Sequence, residues 1–92
     1  FPEEVEEAVK RVDGVLDCLV VGVPDEKFGN AVTAVASLVD GASVEASTII
    51  TSVKAELAGF KAPKSVIFVD HVPRAPNGKA NYKAAKEIAT AT

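Results

Sequence analysis

The sequence has no methionine, no tryptophan and only 1 cysteine and 1 histidine. A single cysteine, Cys18, cannot form an intrachain disulfide, and its place inside the apolar run of residues 15–23 predicts a small buried hydrophobe. His71 and Cys18 lie far apart along the chain, so no metal ligand set is present and we expect no metal site. We expect His71 to be a loop or interface residue.

Long apolar runs and excess basic charge are also missing. Asp17, Pro24 and Asp40 interrupt the apolar stretches, which leaves no segment of the ~20 residues that a membrane-spanning helix needs. The sequence has no basic segment followed by an apolar run, the pattern of a secretory signal, and we expect a cytoplasmic location. The net charge is −3, from 10 basic and 13 acidic residues, so we expect no nucleic-acid partner.

The missing methionine, together with Phe1 as first residue, indicates a piece of a longer polypeptide. An intact translation product begins with Met, and a bulky second residue normally prevents its removal. The 92 residues, 48% of them hydrophobic, suit one domain with one modest core. We therefore expect residues 1–92 to form a single domain whose chemistry needs groups outside it.

Hydrophobic periodicity predicts an α+β fold in which helices pack on a small three-stranded sheet, in the order α-β-β-α-β-loop-α. The first helix carries an apolar stripe, and residues 13–14 end it. The second strand is apolar on both faces, so we expect it to be central and covered on both sides. The stripe consists of Val5, Ala8, Val9 and Val12.

Boundaries of the other elements follow from turn and cap residues. We expect strands over residues 15–23, 30–39 and 65–70, the last one short and buried, with a polar loop over residues 24–29. The second helix starts at either Ser43 or Ser47 and ends at Gly59. Asn81 is the expected cap of a last helix that runs to about Ile88, followed by a frayed tail.

The acidic and aromatic residues allow plain structural interpretations. The acidic run of residues 3–7 is most simply a solvated helix face that also complements the helix dipole. Phe28 and Phe60 are loop aromatics. Each either packs under its own loop, the favoured alternative, or anchors a contact between domains.

The most distinctive segment is residues 73–79, with the sequence PRAPNGK. Pro73 and Pro76 each fix a φ angle and remove a donor, so this segment is not expected to continue a helix or a sheet ladder. Asn77-Gly78 is a tight-turn dipeptide, and we expect Lys79 to project into solvent.

Lys79 is then either a solvated turn lysine or a cation that reaches out of its own domain towards an anion. A nucleotide phosphate loop is excluded as a third possibility. That motif requires glycine at position 73 and Ser or Thr at position 80, where this chain has Pro and Ala.

Five collinear segments resemble the small C-terminal domain of adenylate-forming enzymes, the superfamily of acyl-CoA synthetases, peptide-synthetase adenylation domains and beetle luciferases. The similarity covers nearly the whole chain at the expected spacings. The segments are residues 1–6 (FPEEVE), 22–29 (GVPDEKFG), 57–64 (LAGFKAPK), 68–70 (FVD) and 73–79 (PRAPNGK).

The resemblance implies a mobile lid domain that works with a large N-terminal domain of the same polypeptide. A carboxylic acid attacks the α-phosphate of ATP to give an acyl-adenylate, and a thiol, usually that of coenzyme A, then displaces AMP. The resemblance further implies that Lys79 contacts the carboxylate and the oxygen near the α-phosphate. Pro73, Asn77 and Gly78 would then support the loop that carries Lys79. Mg²⁺ is expected on the large domain.

The resemblance also bears on the second half-reaction. Lys61, Lys64 and Arg74 are candidates for the phosphates of coenzyme A, on charge alone. The combination of PDEK and GFK favours a CoA ligase over a peptide-synthetase module. Such ligases often carry an arginine three to four residues after the motif lysine, whereas this chain has Tyr82 and Lys83.

Two further hypotheses concern Lys79. An exposed lysine in this context resembles the site at which a protein acetyltransferase switches off some of these ligases, since acetylation removes the charge. The competing hypothesis is a stand-alone regulatory or ligand-binding module with a ferredoxin-like topology, in which Lys79 is merely a turn residue.

Overall fold

The computed structural model describes residues 2–27 and 29–91, in which the chain forms the predicted α+β arrangement. No helix in these residues is both long enough and apolar enough to cross a membrane. In chain order the elements are α1 (Pro2–Lys10), β1 (Val15–Asp25), β2 (Gly29–Leu38), α2 (Ala46–Glu56), a 3-10 turn (Gly59–Lys61), β3 (Ser65–Phe68) and α3 (Tyr82–Ala91).

The sheet has β2 at its centre, antiparallel to β1 and parallel to β3. α1 and α2 cover one face. The buried side chains between these helices and the sheet, which include Ala34 and Ala36 of β2, are called the first core below. α3 covers the other face. The buried side chains between α3 and the sheet, which include Val35 of β2, are called the second core below. The prediction of a central strand that is covered on both sides is therefore confirmed.

α1 buries the stripe that the sequence predicts. Val5, Ala8 and Val9 are buried in the first core, and Val12 packs against it. Gly14 follows with a φ of +94°, so the chain turns there into β1. Cys18 is fully buried in the same core, as expected for a small hydrophobe.

β1 continues through Pro24, so the prediction that the strand ends before this residue, with a loop over residues 24–29, is wrong. β1 lies at the edge of the sheet, and the Val20 N–H points away from β2 to a carboxylate of Glu6 at 2.9 Å. Backbone N–H groups point alternately to the two sides of a strand, so an N–H at position 24 would face the same open side as that of Val20. Proline lacks this N–H, but no partner strand lies on that side. The proline therefore costs no hydrogen bond of the ladder.

α2 begins at Ala46, between the two predicted starts, and ends three residues earlier than predicted. The chain leaves the helix at Leu57, which has an extended backbone (φ −119°, ψ 168°). This conformation packs Leu57 against the first core, and the chain then enters the 3-10 turn that begins at Gly59.

β3 is shorter and less buried than the sequence predicts. It ends at Phe68, which is 40% exposed, while Val66 and Ile67 are half-buried. The reason is that β3 is an edge strand, paired only with β2, so the expected burial on all sides is not reached.

α3 extends to Ala91, and the prediction of a frayed tail is wrong for residues 89–91. Ala89 is buried against the second core, which holds the last turn in place. The predicted cap is confirmed, because the Asn81 side chain accepts the Ala84 N–H at 3.0 Å. Thr92 lies outside the described residues.

Candidate functional site

Residues 73–79, called the lysine loop below, form a closed hairpin turn. Gly78 N–H donates to the Ala75 carbonyl at 2.8 Å, and Ala75 N–H donates to the Lys79 carbonyl at 2.9 Å. Gly78 has a φ of +87°. Pro76 and Asn77 are thus the central residues of a turn followed by a left-handed glycine, a common three-residue hairpin.

The stem of the lysine loop is held by backbone pairing. Arg74 and Ala80 form an isolated antiparallel bridge outside the three-stranded sheet, so the segment does not continue a sheet ladder, as predicted. The hydrogen bonds of this bridge use the N–H groups of Ala75 and Asn81, so the missing donors of the two prolines are not needed. Asn81 N–H donates to the Pro73 carbonyl at 3.1 Å, which joins the loop directly to the capped start of α3.

Lys79 leaves this hairpin as an exposed cation. Its own N–H donates to the Asn77 side-chain oxygen at 3.1 Å, which fixes the backbone just before the side chain departs. In the part of the chain that the structure describes, no side chain pairs with the Lys79 ammonium. The loop therefore presents a positive charge to whatever lies outside this chain.

Arg74 ties the lysine loop to the sheet. Its Nε and Nη2 donate to the two carboxylate oxygens of Asp17 at 2.7 and 2.9 Å, and its Nη1 donates to the Gly78 carbonyl at 3.0 Å. The guanidinium lowers the pKa of Asp17 below its ordinary value, and the Cys18 N–H acts in the same direction. The carboxylate in turn raises the pKa of Arg74.

Sequence reasoning missed Asp17 as a partner of the loop. The only signal in the sequence was a charged residue within the apolar run of residues 15–23. Its partner lies 57 residues further along the chain, a pairing that local patterns do not report.

A second polar cluster fixes the start of α3. The Tyr82 hydroxyl donates to the Glu6 carboxylate, with 2.9 and 3.1 Å to its two oxygens, and the same carboxylate accepts the Val20 N–H. Glu6 is 7% exposed, so the expectation of a solvated face is wrong for this residue. Burial of the hydroxyl and its bond to Glu6 raise the pKa of Tyr82 to about 12.

The candidate phosphate-binding residues fall into separate clusters. Arg74 belongs to the lysine loop. Lys61 pairs with Glu4 at 2.8 Å, and Lys64 lies just before β3, beside Phe60. Arg74 and Lys61 thus pair with different carboxylates, Asp17 and Glu4.

Phe60 is 83% exposed, so the favoured expectation that it packs under its own loop is wrong. The 3-10 turn carries the ring outward, where it borders a surface depression of about 610 Å³. Phe28 lies outside the described residues. The depression is lined by Asn30, Val32, Ile50, Lys54, Gly59, Phe60, Ala62, Pro63 and Lys64.

The remaining reactive side chains do not assemble into a site. His71 is exposed in the segment after β3. Burial raises the pKa of the Cys18 thiol to about 12, which disfavours the nucleophilic thiolate at neutral pH. Among residues 2–27 and 29–91, no three His, Cys, Asp or Glu side chains come close enough to hold a metal ion.

Comparison with known proteins agrees with this geometry. The AMP-binding enzyme C-terminal domain family matches residues 4–79, and the match ends at Lys79. A 3-oxocholest-4-en-26-oate–CoA ligase of Rhodococcus rhodochrous is 48% identical over 87 residues, which are 95% of this chain and 16% of that protein.

Two solved structures share the fold. Apo MatB of Rhodopseudomonas palustris has a TM-score of 0.89 at 38% identity, over 96% of this chain and 18% of its own. A Mycobacterium tuberculosis fatty acyl CoA synthetase has a TM-score of 0.89 at 34% identity, over 99% and 18%. With these matches and an exposed lysine on a braced hairpin, the chain belongs to the AMP-binding enzyme C-terminal domain family.

Proposed function

We propose that this chain is the mobile lid domain of an ATP-dependent acyl-CoA synthetase and that Lys79 is its adenylation lysine. The observation that carries the proposal is the exposed Lys79 ammonium at the end of a hydrogen-bonded hairpin, an ammonium that pairs with no side chain among residues 2–27 and 29–91. Family membership supports it. The chain spans 16% of the Rhodococcus relative, so the acid pocket and most of the nucleotide site belong to a large N-terminal domain.

The chemistry needs a cation where two anions meet. A carboxylate oxygen attacks the α-phosphorus of ATP, pyrophosphate leaves, and an acyl-adenylate forms. An ammonium between the carboxylate and the α-phosphate offsets their repulsion and the charge that builds in the transition state. Lysine suits this position because it is a compact charge on a flexible stem with three donors.

In the second half-reaction the thiol of coenzyme A attacks the acyl carbonyl and AMP leaves. We assign this step to a different orientation of the domain, in which Lys79 is turned away. Lys61 and Lys64 are candidates for the coenzyme A phosphates, supported by the position of Lys64 beside Phe60 and the depression. For Arg74, a phosphate would compete with Asp17 for the guanidinium.

Substrate class and surroundings extend the proposal. The Rhodococcus relative is named for a steroid acid and the Mycobacterium tuberculosis structure for fatty acyl groups, and together they support a large apolar carboxylic acid as substrate. We assign the Mg²⁺ that accompanies ATP to the large domain, as the family resemblance implies. Use of ATP and coenzyme A, with a buried free Cys18, fits a cytoplasmic location.

Exposure also makes Lys79 a candidate for acetylation by a protein acetyltransferase. Acetylation removes the charge that adenylation requires, and would therefore switch the ligase off. Intact-mass measurement after incubation with acetyltransferase and acetyl-CoA tests this. An unmodified Lys79 in a peptide map would refute it.

The test of the main proposal compares two half-reactions in the intact ligase. Lys79→Ala should lower pyrophosphate exchange by about 100- to 1,000-fold, the usual effect of removing one transition-state donor. It should leave thioester formation from pre-made acyl-adenylate nearly unchanged. Lys86→Ala, an exposed lysine on α3, is the matched control. Full exchange activity in Lys79→Ala would refute the adenylation role of Lys79.

A further inference from the structure

The peptide unit between Gly78 and Lys79 is held at both of its polar ends. Its carbonyl, from Gly78, accepts Arg74 Nη1 at 3.0 Å, and its N–H, from Lys79, donates to Asn77 at 3.1 Å. A planar peptide with both ends bonded cannot rotate without breaking one of these bonds. The direction in which the Lys79 side chain leaves the backbone is therefore set by Arg74 and Asn77.

Arg74 connects the lysine loop to the sheet through Asp17 of β1. Asp17 binds two of its guanidinium nitrogens, and Asp17 Oδ1 also accepts the Cys18 N–H at 2.8 Å. Cys18 is fully buried in the first core, on a strand that pairs with β2 along its length. The anchor of the loop is thus the rigid core of the domain.

The side chains of the Asp17–Arg74 pair are also partly shielded from water. The Asp17 side chain is 24% exposed and that of Arg74 is 33% exposed. A bidentate guanidinium–carboxylate pair is both stronger and more directional than a single-donor pair. Lysine at position 74 could bind Asp17 but would lack the second, divergent donor for the Gly78 carbonyl.

We propose that Asp17 and Arg74 are positioning residues for adenylation, acting through Lys79; this rests on the proposed function of Lys79. Small displacements of a catalytic group are costly, and a shift of about 1 Å can lower a rate by about 100-fold. Loss of the pair is therefore expected to lower the rate of adenylation. It leaves thioester formation from pre-made acyl-adenylate unaffected.

The experiment uses the intact ligase with Arg74→Met, Arg74→Lys and Asp17→Asn. Each should lower kcat for pyrophosphate exchange by about 10- to 100-fold, with the KM for ATP nearly unchanged. Arg11→Met is the control, because Arg11, just after α1, makes the same kind of bidentate pair with Glu56 of α2, at 2.7 and 2.8 Å. It should lose a similar surface contact and keep full exchange activity.

A double variant separates positioning from folding. In the Lys79→Ala background, Arg74→Met should cause no further loss of exchange, because the brace acts only through Lys79. A further loss equal to that in the parent would refute the proposal and indicate a general structural role. A raised KM for coenzyme A with normal exchange would also refute it, in favour of direct phosphate contact by Arg74.

The two proposals fail in different ways. If Lys79→Ala keeps full pyrophosphate exchange, the adenylation role itself is wrong. If Lys79→Ala loses exchange while Arg74→Met and Asp17→Asn do not, only the positioning role is wrong. Thermal unfolding of each variant confirms that the compared proteins are folded.

Discussion

Gly78 has a φ of +87°, and a Cβ added there would meet no heavy atom within 4 Å. Space is thus available, and the constraint lies in the backbone. A left-handed conformation costs a residue with a Cβ roughly 1–2 kcal/mol. The turn that presents Lys79 therefore depends on glycine for its conformation and not for its size.

Gly78→Ala is expected to destabilise the protein by about 1 kcal/mol and to lower adenylation, since relief of the strain displaces Lys79. Gly41→Ala is the matched control. Gly41 has a φ of +80°, also with nothing within 4 Å, in the turn after β2. Urea unfolding should give similar losses for both, whereas pyrophosphate exchange should fall only for Gly78→Ala. Equal exchange in the two variants would contradict this account.

The local conformation and exposure of residues were predictable from sequence where a single local motif determines them. The Asn77-Gly78 turn and the exposed Lys79 follow from turn chemistry, and the structure has both. Asp17 and Glu6 were not predictable. Their partners, Arg74 and Tyr82, lie 57 and 76 residues away, so only the folded chain brings them together.

At the scale of elements, Glu6 joins three of them. Its carboxylate, on α1, accepts the Val20 N–H of the edge strand β1 and the hydroxyl of Tyr82 at the start of α3. A buried carboxylate that loses a donor is left partly unsatisfied, at a cost of about 1–3 kcal/mol. The cluster therefore couples the two helices that lie on opposite faces of the sheet.

Tyr82→Phe is expected to lower the free energy of unfolding by about 1–3 kcal/mol, because it removes the hydroxyl donor and leaves Glu6 buried. In the double variant with Glu6→Gln the loss should be smaller than the sum of the single losses. Glu87→Gln, on the exposed side of α3, should change stability by less than about 0.5 kcal/mol. Strictly additive losses in urea unfolding would show that the Tyr82–Glu6 bond contributes little.

Boundaries of elements were the least predictable feature at this scale. Pro24 favours a strand end by its own chemistry, but its position on an open edge removes the penalty. The sequence around Ala89 is typical of an unstructured tail, but Ala89 packs in the second core and the helix continues. In both cases tertiary context, which a local pattern does not contain, decides the outcome.

For the whole molecule, the order of elements was predictable because long periodic segments separate cleanly in the sequence. The parallel pairing of β2 with β3 was not, because it depends on how α2 returns the chain across the sheet. The result is a domain with two distinct candidate surfaces. The lysine loop is fixed to β1 and α3, while Phe60 and Lys64 border the depression beside α2.

The pH dependence of stability reflects the two polar clusters together. The pKa of Asp17 is lowered from 3.8 by Arg74, so the unfolded state binds more protons in acid. Its stabilisation is present above that value and is lost as the pH falls. The pKa of Tyr82 is raised from 10.0 to about 12, so the folded state keeps its proton longer. That stabilisation is present below pH 10.0 and is lost as the pH rises towards 12.

Urea midpoints measured from pH 3 to 11 should therefore form a plateau with an acid flank at about pH 4 and an alkaline flank that begins at about pH 9 to 10. Tyr82→Phe should reduce the alkaline flank without abolishing it, because burial also raises the pKa of Cys18 from 9.0 to about 12, and it should leave the acid flank in place. Asp17→Asn should reduce the acid flank without abolishing it, because the pKa values of Glu4, Glu7 and Glu56 are also lowered by their ion pairs. An alkaline flank that is unchanged in Tyr82→Phe would show that the Tyr82 hydroxyl is not its source.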